Sequence, residues 1–124
     1  MKEKENGVAL NLLDLTPHRN HRWETDGDNA VVVLVPKFRN RLLVSWLLPR
    51  LRSQHFRVKL DAFGSHVWLN CDGSKTVHAI GQSLKKRFGN SVEPVYDRLG
   101  VFIKRLQSER FIQLTEKNDR AMDQ

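Results

Sequence analysis

One cysteine, Cys71, stands in 124 residues, so no internal disulfide can staple this chain and a packed core has to hold it together. Such sparing use of cysteine fits a reducing cytoplasm. No apolar run approaches the roughly 20 residues that a bilayer-spanning helix needs. The charged start Met1–Asn6 has no signal-peptide apolar region behind it, so export is unsupported. Internal repeats and low-complexity tracts are also lacking, and the composition is that of a single globular domain rather than a disordered chain. Such a length leaves no room for separate cofactor and substrate domains.

Acidic residues are missing from one long window. Between Lys37 and Lys59 lie seven cations, Lys37, Arg39, Arg41, Arg50, Arg52, Arg57 and Lys59, with no Asp or Glu. The rest of the chain then holds fourteen cations against fourteen anions, so the whole formal charge of +7 belongs to this window. Like charges crowded together attract a polyanion, which makes an acidic peptide, a nucleic acid backbone or an anionic membrane surface a candidate partner.

What is present reads as strands followed by helices. Residues 1–16 form an N-terminal arm with Val8, Leu10, Leu12, Leu13 and Leu15, and Pro17 follows. Arg22–Thr25 and Ala30–Val35 flank the turn-rich tetrad Asp26-Gly27-Asp28-Asn29, a hairpin, and the β-branched run Val31–Val35 is expected as the buried central strand ending at Pro36. In Phe38–Gln54, Leu42, Leu43, Trp46, Leu47 and Leu51 recur at helical intervals, but Pro49 breaks a helix interior, so a short broken helix or an apolar-faced loop is expected. Those residues either cover the sheet or offer a dimer, peptide or membrane contact surface.

Phe56-Arg57-Val58-Lys59-Leu60 alternates apolar and basic residues, the pattern of a strand with Phe56, Val58 and Leu60 inward and Arg57 and Lys59 outward. Asp61 stands at an N-cap position before a helix over Ala62–Cys71, and Asp72-Gly73 ends it. Ser74 or Thr76 caps a second helix with the stripe Val77, Ile80, Leu84 and Phe88, stopped by Gly89. Glu93-Pro94 opens a third, with Val95, Leu99, Phe102, Ile103 and Leu106 as its core stripe. Phe111–Leu114 adds a short closing strand, and 115–124 is a polar tail.

Chemistry-bearing motifs are few. No Cys or His pair has metal-site spacing, so no metal is expected, and His18 and His21 are expected in a solvated loop. Cys71 sits beside Asp72 at a helix C-terminus, where negative partial charge disfavours a thiolate, so it reads as a packed structural residue. No nucleophile elbow, phosphate loop or dinucleotide fingerprint appears. Catalysis has no visible carrier.

The ordered set of features from Pro17 to Leu114, namely the hairpin before Val35, the strand ending in Leu60, Asp72-Gly73, the Thr76–Phe88 helix and the Pro94–Glu109 helix, resembles the PqqD family of small peptide chaperones. The resemblance implies a winged-helix-like α+β domain over 17–114, a small three-stranded antiparallel sheet followed by a three-helix bundle; this chain departs from the compact family pattern by an insertion at about 37–55, between the second and third strands. It also implies a non-catalytic, cofactor-free module in the cytoplasm. Such a module binds the leader of a ribosomally made precursor by strand addition beside the third strand and against the third helix, and hands it to a radical S-adenosylmethionine enzyme of the quinone-cofactor pathway.

Carried onto this chain, the peptide contacts fall on Phe56, Arg57, Val58, Lys59, Leu60, Arg98, Phe102 and Arg105. A homodimer is a further candidate assembly. The alternative function is winged-helix nucleic-acid binding, since three helices beside a small sheet also describe DNA readers. Against it, the third helix offers few base-reading side chains and mixes its cations with Asp97 and Glu109.

Overall fold

A computed structural model describes residues 2–5, 8–36 and 55–116. The broken helix expected within Phe38–Gln54, with Trp46 and five of the seven clustered cations, lies outside the described residues. The architecture is α+β. Strands β1 (Lys2–Glu5) and β2 (Val8–Asn11) pair as an antiparallel hairpin, and a 3-10 turn at Leu12–Asp14 leads into β3 (Leu15–Arg19). β4 (Arg22–Thr25), β5 (Val31–Pro36) and β6 (His55–Lys59) form a three-stranded antiparallel sheet in that order. Helices α1 (Ala62–Leu69), α2 (Val77–Phe88) and α3 (Val95–Ser108) follow, and β7 (Ile112–Glu116) returns to pair with β3.

Local chemistry explains the boundaries. The Asp26 carboxylate accepts hydrogen bonds from the amides of Asp28 and Ala30 at 2.9 and 3.1 Å, and Asn29 takes a left-handed φ of 65°, which together close the β4–β5 turn. β5 is central, as its β-branched run predicts, with Val31, Val32 and Val33 all buried. Asp61 caps α1 by accepting from the Gly64 amide at 2.7 Å, and Thr76 caps α2 by accepting from Ala79 at 3.1 Å. Gly89, at φ 65°, ends α2.

The core joins both layers. Val31 and Val33 meet Val67 and Trp68 of α1, Ile80 and Leu84 of α2, and Leu99 and Ile103 of α3. Ser65 locks α1 to the sheet, because its hydroxyl accepts from the Val31 amide at 2.9 Å while the Leu60 amide donates to Val31 O at 2.8 Å. Helices α2 and α3 approach closely where the Tyr96 ring occupies the place a Gly81 side chain would take.

Several expectations need correction. Helix α1 stops at Leu69 rather than Cys71, because Asn70 turns back, its side chain donating to His66 O at 2.8 Å and its amide to Val67 O at 3.0 Å. Asp72 instead bridges to His18, and Gly73, at φ 84°, lets the His18 imidazole pack directly on its backbone. His18 and His21 are therefore half-buried rather than solvated, with His18 Nε2 2.8 Å from the Thr115 hydroxyl and the His21 ring edge-on to Phe111. The closing strand runs on to Glu116, because β3 supplies a full ladder of partners from Leu15 to Arg19.

Candidate functional site

β6 lies at one edge of its sheet, and among the described residues it pairs only with β5. Its register sets Val58 opposite Val33, Arg57 opposite Leu34 and Lys59 opposite Val32. Since the Leu60 amide bonds to Val31 O, alternation along an antiparallel ladder turns the backbone groups of Val58 towards β5 and those of Arg57 and Lys59 towards the open edge. That edge is a template for another strand.

The side chains of β6 alternate as the sequence predicts, with one exception. Val58 and Leu60 pack against the core, while Arg57 and Lys59 are exposed on the opposite face. Phe56, expected inward, is 57% exposed. By alternation it shares the Val58 face, but it stands opposite Val35, which is itself only half-buried, at the end of the sheet away from α1.

The two strand cations are not free. Arg57 is ion-paired with Glu24 at 2.6 Å, reaching across β5, and Lys59 meets Asp26 at 2.9 Å and Asp28 at 3.6 Å. The Lys59 ammonium, helped by the Asp28 and Ala30 amides, holds the Asp26 carboxyl below its ordinary value, and Asp26 raises Lys59 in turn. The hairpin acids thus offset part of the positive potential read from the sequence. The signal was present in the chain: Glu24, Asp26 and Asp28 sit at the hairpin that brings β4 and its turn alongside the cationic strand.

Helix α3 buries Val95, Leu99, Ile103 and Leu106 and carries Arg98, Val101, Phe102 and Arg105 on an adjoining flank. Phe102 is half-buried and edge-on to Phe63 of α1, with ring centroids 6.2 Å apart. The Arg98 guanidinium lies 4.8 Å from the Phe63 ring centre and donates to Ser91 O at 3.2 Å. Arg105 donates to Glu109 at 3.1 Å, and Val101 is 71% exposed. The fold therefore gathers Leu60, Phe63, Arg98 and Phe102 at the end of β6. Phe56, Arg57, Lys59 and Arg105 stand apart from that group. Phe63 reads from sequence only as a packing residue of the first helix, and Gly64 and Val101 were not singled out, since a lone glycine in a helix's first turn and a valine off the core stripe carry no period of their own.

Nucleophilic chemistry has little support here. Burial pushes the Cys71 thiol up to about 12, so it stays protonated and enclosed. Among the described residues no three His, Cys, Asp or Glu side chains are grouped as metal ligands.

A family model described as coenzyme PQQ synthesis protein D (PqqD) matches residues 47–112, more than half of the chain. The chain belongs to the PqqD family. No curated protein and no solved structure matches it. The PqqD match begins before β6 and spans it, all three helices and the first residue of β7; the β4–β5 hairpin lies outside it. At the level of the family this is an accessory, non-catalytic role in PQQ synthesis. No helix among the described residues is long and apolar enough to cross a membrane.

Proposed function

We propose that this PqqD-family chain binds the leader of a ribosomally made precursor peptide as a strand added to the open edge of β6, and presents it to a modifying enzyme, on the family pattern a radical S-adenosylmethionine enzyme. The module acts without a cofactor and without chemistry of its own, in the cytoplasm. The observation that carries the reading is the β6 edge, where the backbone groups of Arg57 and Lys59 turn outward on a strand followed, at Leu60, by the aromatic pair of Phe63 and Phe102. Ladder hydrogen bonds supply affinity without reading sequence, and side chains between strand and helix supply selectivity. Phe56 and Val101, exposed on β6 and α3, favour a peptide with apolar side chains on one face.

The test uses synthetic peptides covering short precursors encoded beside the gene. Titrated into isotope-labelled protein, a binding leader is expected to shift the amides of Arg57 and Lys59 and to give strand-type contacts across the β6 edge. Replacing Val101 with Asp and Arg98 with Glu, two exposed positions, is expected to weaken binding by about tenfold or more while circular dichroism stays unchanged. Unchanged affinity in that variant, or shifts confined to other elements, overturns the groove.

A further inference from the structure

Helix α2 turns a face to solvent that carries charge of one sign. From Gly73 to Val92 the chain holds Lys75, Lys85, Lys86 and Arg87 and no Asp or Glu. The helix buries Val77, Ile80, Gly81 and Leu84, so its 3.6-residue period points Gln82 and Lys86 away from the core, with His78 and Lys85 adjoining them. All four are exposed, no large apolar residue stands among them, and Lys75 lies just before the Thr76 cap. We infer that this face docks a carboxylate-rich segment of a partner protein, held by charge rather than by apolar burial.

Helix stability accounts for only part of that charge. Lys85, Lys86 and Arg87 fill the last turn, where cations offset the partial charge of the free carbonyls. Lys75 stands at the other end, beside a first turn without an acid, where the helix dipole disfavours a cation. The neighbouring carboxylates, Asp72 and Glu93, do not cancel the four cations. Asp72 accepts from the amide and hydroxyl of Ser74, and Glu93 lies 4.0 Å from Lys85 while accepting from the Val95 amide at 3.2 Å. Lys75, Lys86 and Arg87 have no ion-pair partner among the described residues. Desolvation first, then Arg87 and Lys75, hold His66 below its ordinary value, so the positive potential of α2 reaches the helix beside it.

An acidic protein fits this face better than a nucleic acid does. Tyr96, the ring that borders it, is covered: His78 stacks on it with planes 7° apart and centroids 5.5 Å apart, and Lys85 Nζ lies 5.1 Å from its centre. No ring there is open for an unpaired base to stack on. Lys75, Lys85 and Lys86 offer point charges rather than the planar forks that grip phosphate with two parallel bonds. The face shares no residue with the β6 edge or with the α3 flank, so a leader peptide and a partner protein can be held at once.

The probe is a blocked twelve-residue oligoglutamate, set against oligolysine and a single-stranded DNA of twelve nucleotides. At physiological salt the oligoglutamate is expected to bind saturably and to shift the amides of His78, Gln82, Lys85 and Lys86. Lys75→Glu with Lys86→Glu is expected to weaken it by about tenfold or more, whereas Arg22→Glu with Arg110→Glu, which removes the same charge from exposed positions elsewhere, changes it by less than about twofold. Gln82→Glu, able to pair with Lys86 one turn on and so harmless to the helix, is expected to weaken it by about two- to fivefold on its own. Absence of binding, equal losses in the two double variants, indifference to Gln82→Glu or shifts mapped to β6 and α3 overturns the inference. Tighter binding of the DNA than of the oligoglutamate overturns it too, in favour of nucleic acid. Because these variants leave the β6 edge intact, loss of precursor binding at that edge tests the groove and says nothing of the α2 face.

Discussion

Phe102 Cζ lies 3.2 Å from the point where Gly64 would carry its Cβ, with Leu60 Cβ at 3.3 Å on another side of that point. The missing side chain lets α3 reach the end of β6. Gly64→Ala adds helix propensity worth ~1 kcal/mol, but overpacking a filled site costs about 1–3 kcal/mol, so a net loss of roughly 1 kcal/mol is expected. In a Phe102→Ala background one of the three close neighbours is gone while Asp61 Oδ1 at 3.2 Å and Leu60 Cβ at 3.3 Å remain, so the loss is expected to shrink towards zero. Urea unfolding of the four proteins reads this coupling. Additive effects would show that Phe102 does not press on Gly64.

Arg19 ties the end of β3 to the end of α1. Its Nη1 donates to Trp68 O at 2.9 Å and to Leu69 O at 3.1 Å, and its guanidinium lies 5.5 Å from the Trp23 ring centre. The last carbonyls of a helix lack internal partners and carry partial negative charge, so a cation here both bonds and neutralises them. Arg19→Ala is expected to destabilise by about 1–3 kcal/mol, and Arg19→Lys by less, since charge survives while the planar fork is lost. Denaturant midpoints for the two variants check the order. Equal losses would assign the effect to the planar fork rather than to charge.

The periodic parts of this fold were legible, and the non-local parts were not. Val31–Val33, the Asp61 and Thr76 caps, and the helical stripes of α2 and α3 follow from local pattern and local capping chemistry. The pairing of β3 with β7 joins residues about a hundred positions apart, and neither strand alternates strongly, so nothing local announces it. For the candidate site, alternation fixed which way Arg57 and Lys59 point, but alternation is silent on length of cover. It could not tell that Phe56 stands where the core runs out, nor that Glu24 would reach over β5 to Arg57. Individual ion pairs depend on strand order, and strand order is a tertiary fact.

Cys71 gives a stability signature in the alkaline range. Its thiol rises from 9.0 to about 12, chiefly through desolvation. A raised folded value means that the folded chain holds the proton longer, so the contribution is fully present below 9.0 and is lost as pH rises through about 12. The stability advantage of the parent over Cys71→Ala is therefore expected to shrink steadily across that window. Urea titrations of both proteins at several pH values measure it, and the difference cancels other groups that titrate there. An advantage that stays level to the top of the window would mean the thiol ionises in place. Native Cys71 is also expected to resist a thiol reagent at neutral pH until urea unfolds the chain.

The Glu24–Arg57 pair sets how much of the strand's charge a ligand can use. Both side chains are about half exposed, at 55% for Arg57 and 47% for Glu24, so the pair is a solvent-screened one. An acidic residue on an added strand, if it points to the same face as Arg57, has to compete with Glu24 for the guanidinium. Glu24→Gln removes the competitor while keeping the length and shape of the side chain. Affinity for a leader peptide with acids on that face is then expected to rise by about two- to fivefold, the range open to an exposed pair, and to fall off more steeply as salt is added. The same substitution is expected to leave a peptide with only apolar and neutral side chains unaffected, because such a ligand draws on ladder hydrogen bonds and on the Phe63–Phe102 side. Titration of both peptides at low and high salt separates the outcomes. If Glu24→Gln changes neither peptide's affinity, Arg57 takes no part in recognition, and selectivity at the β6 edge rests on its apolar face alone.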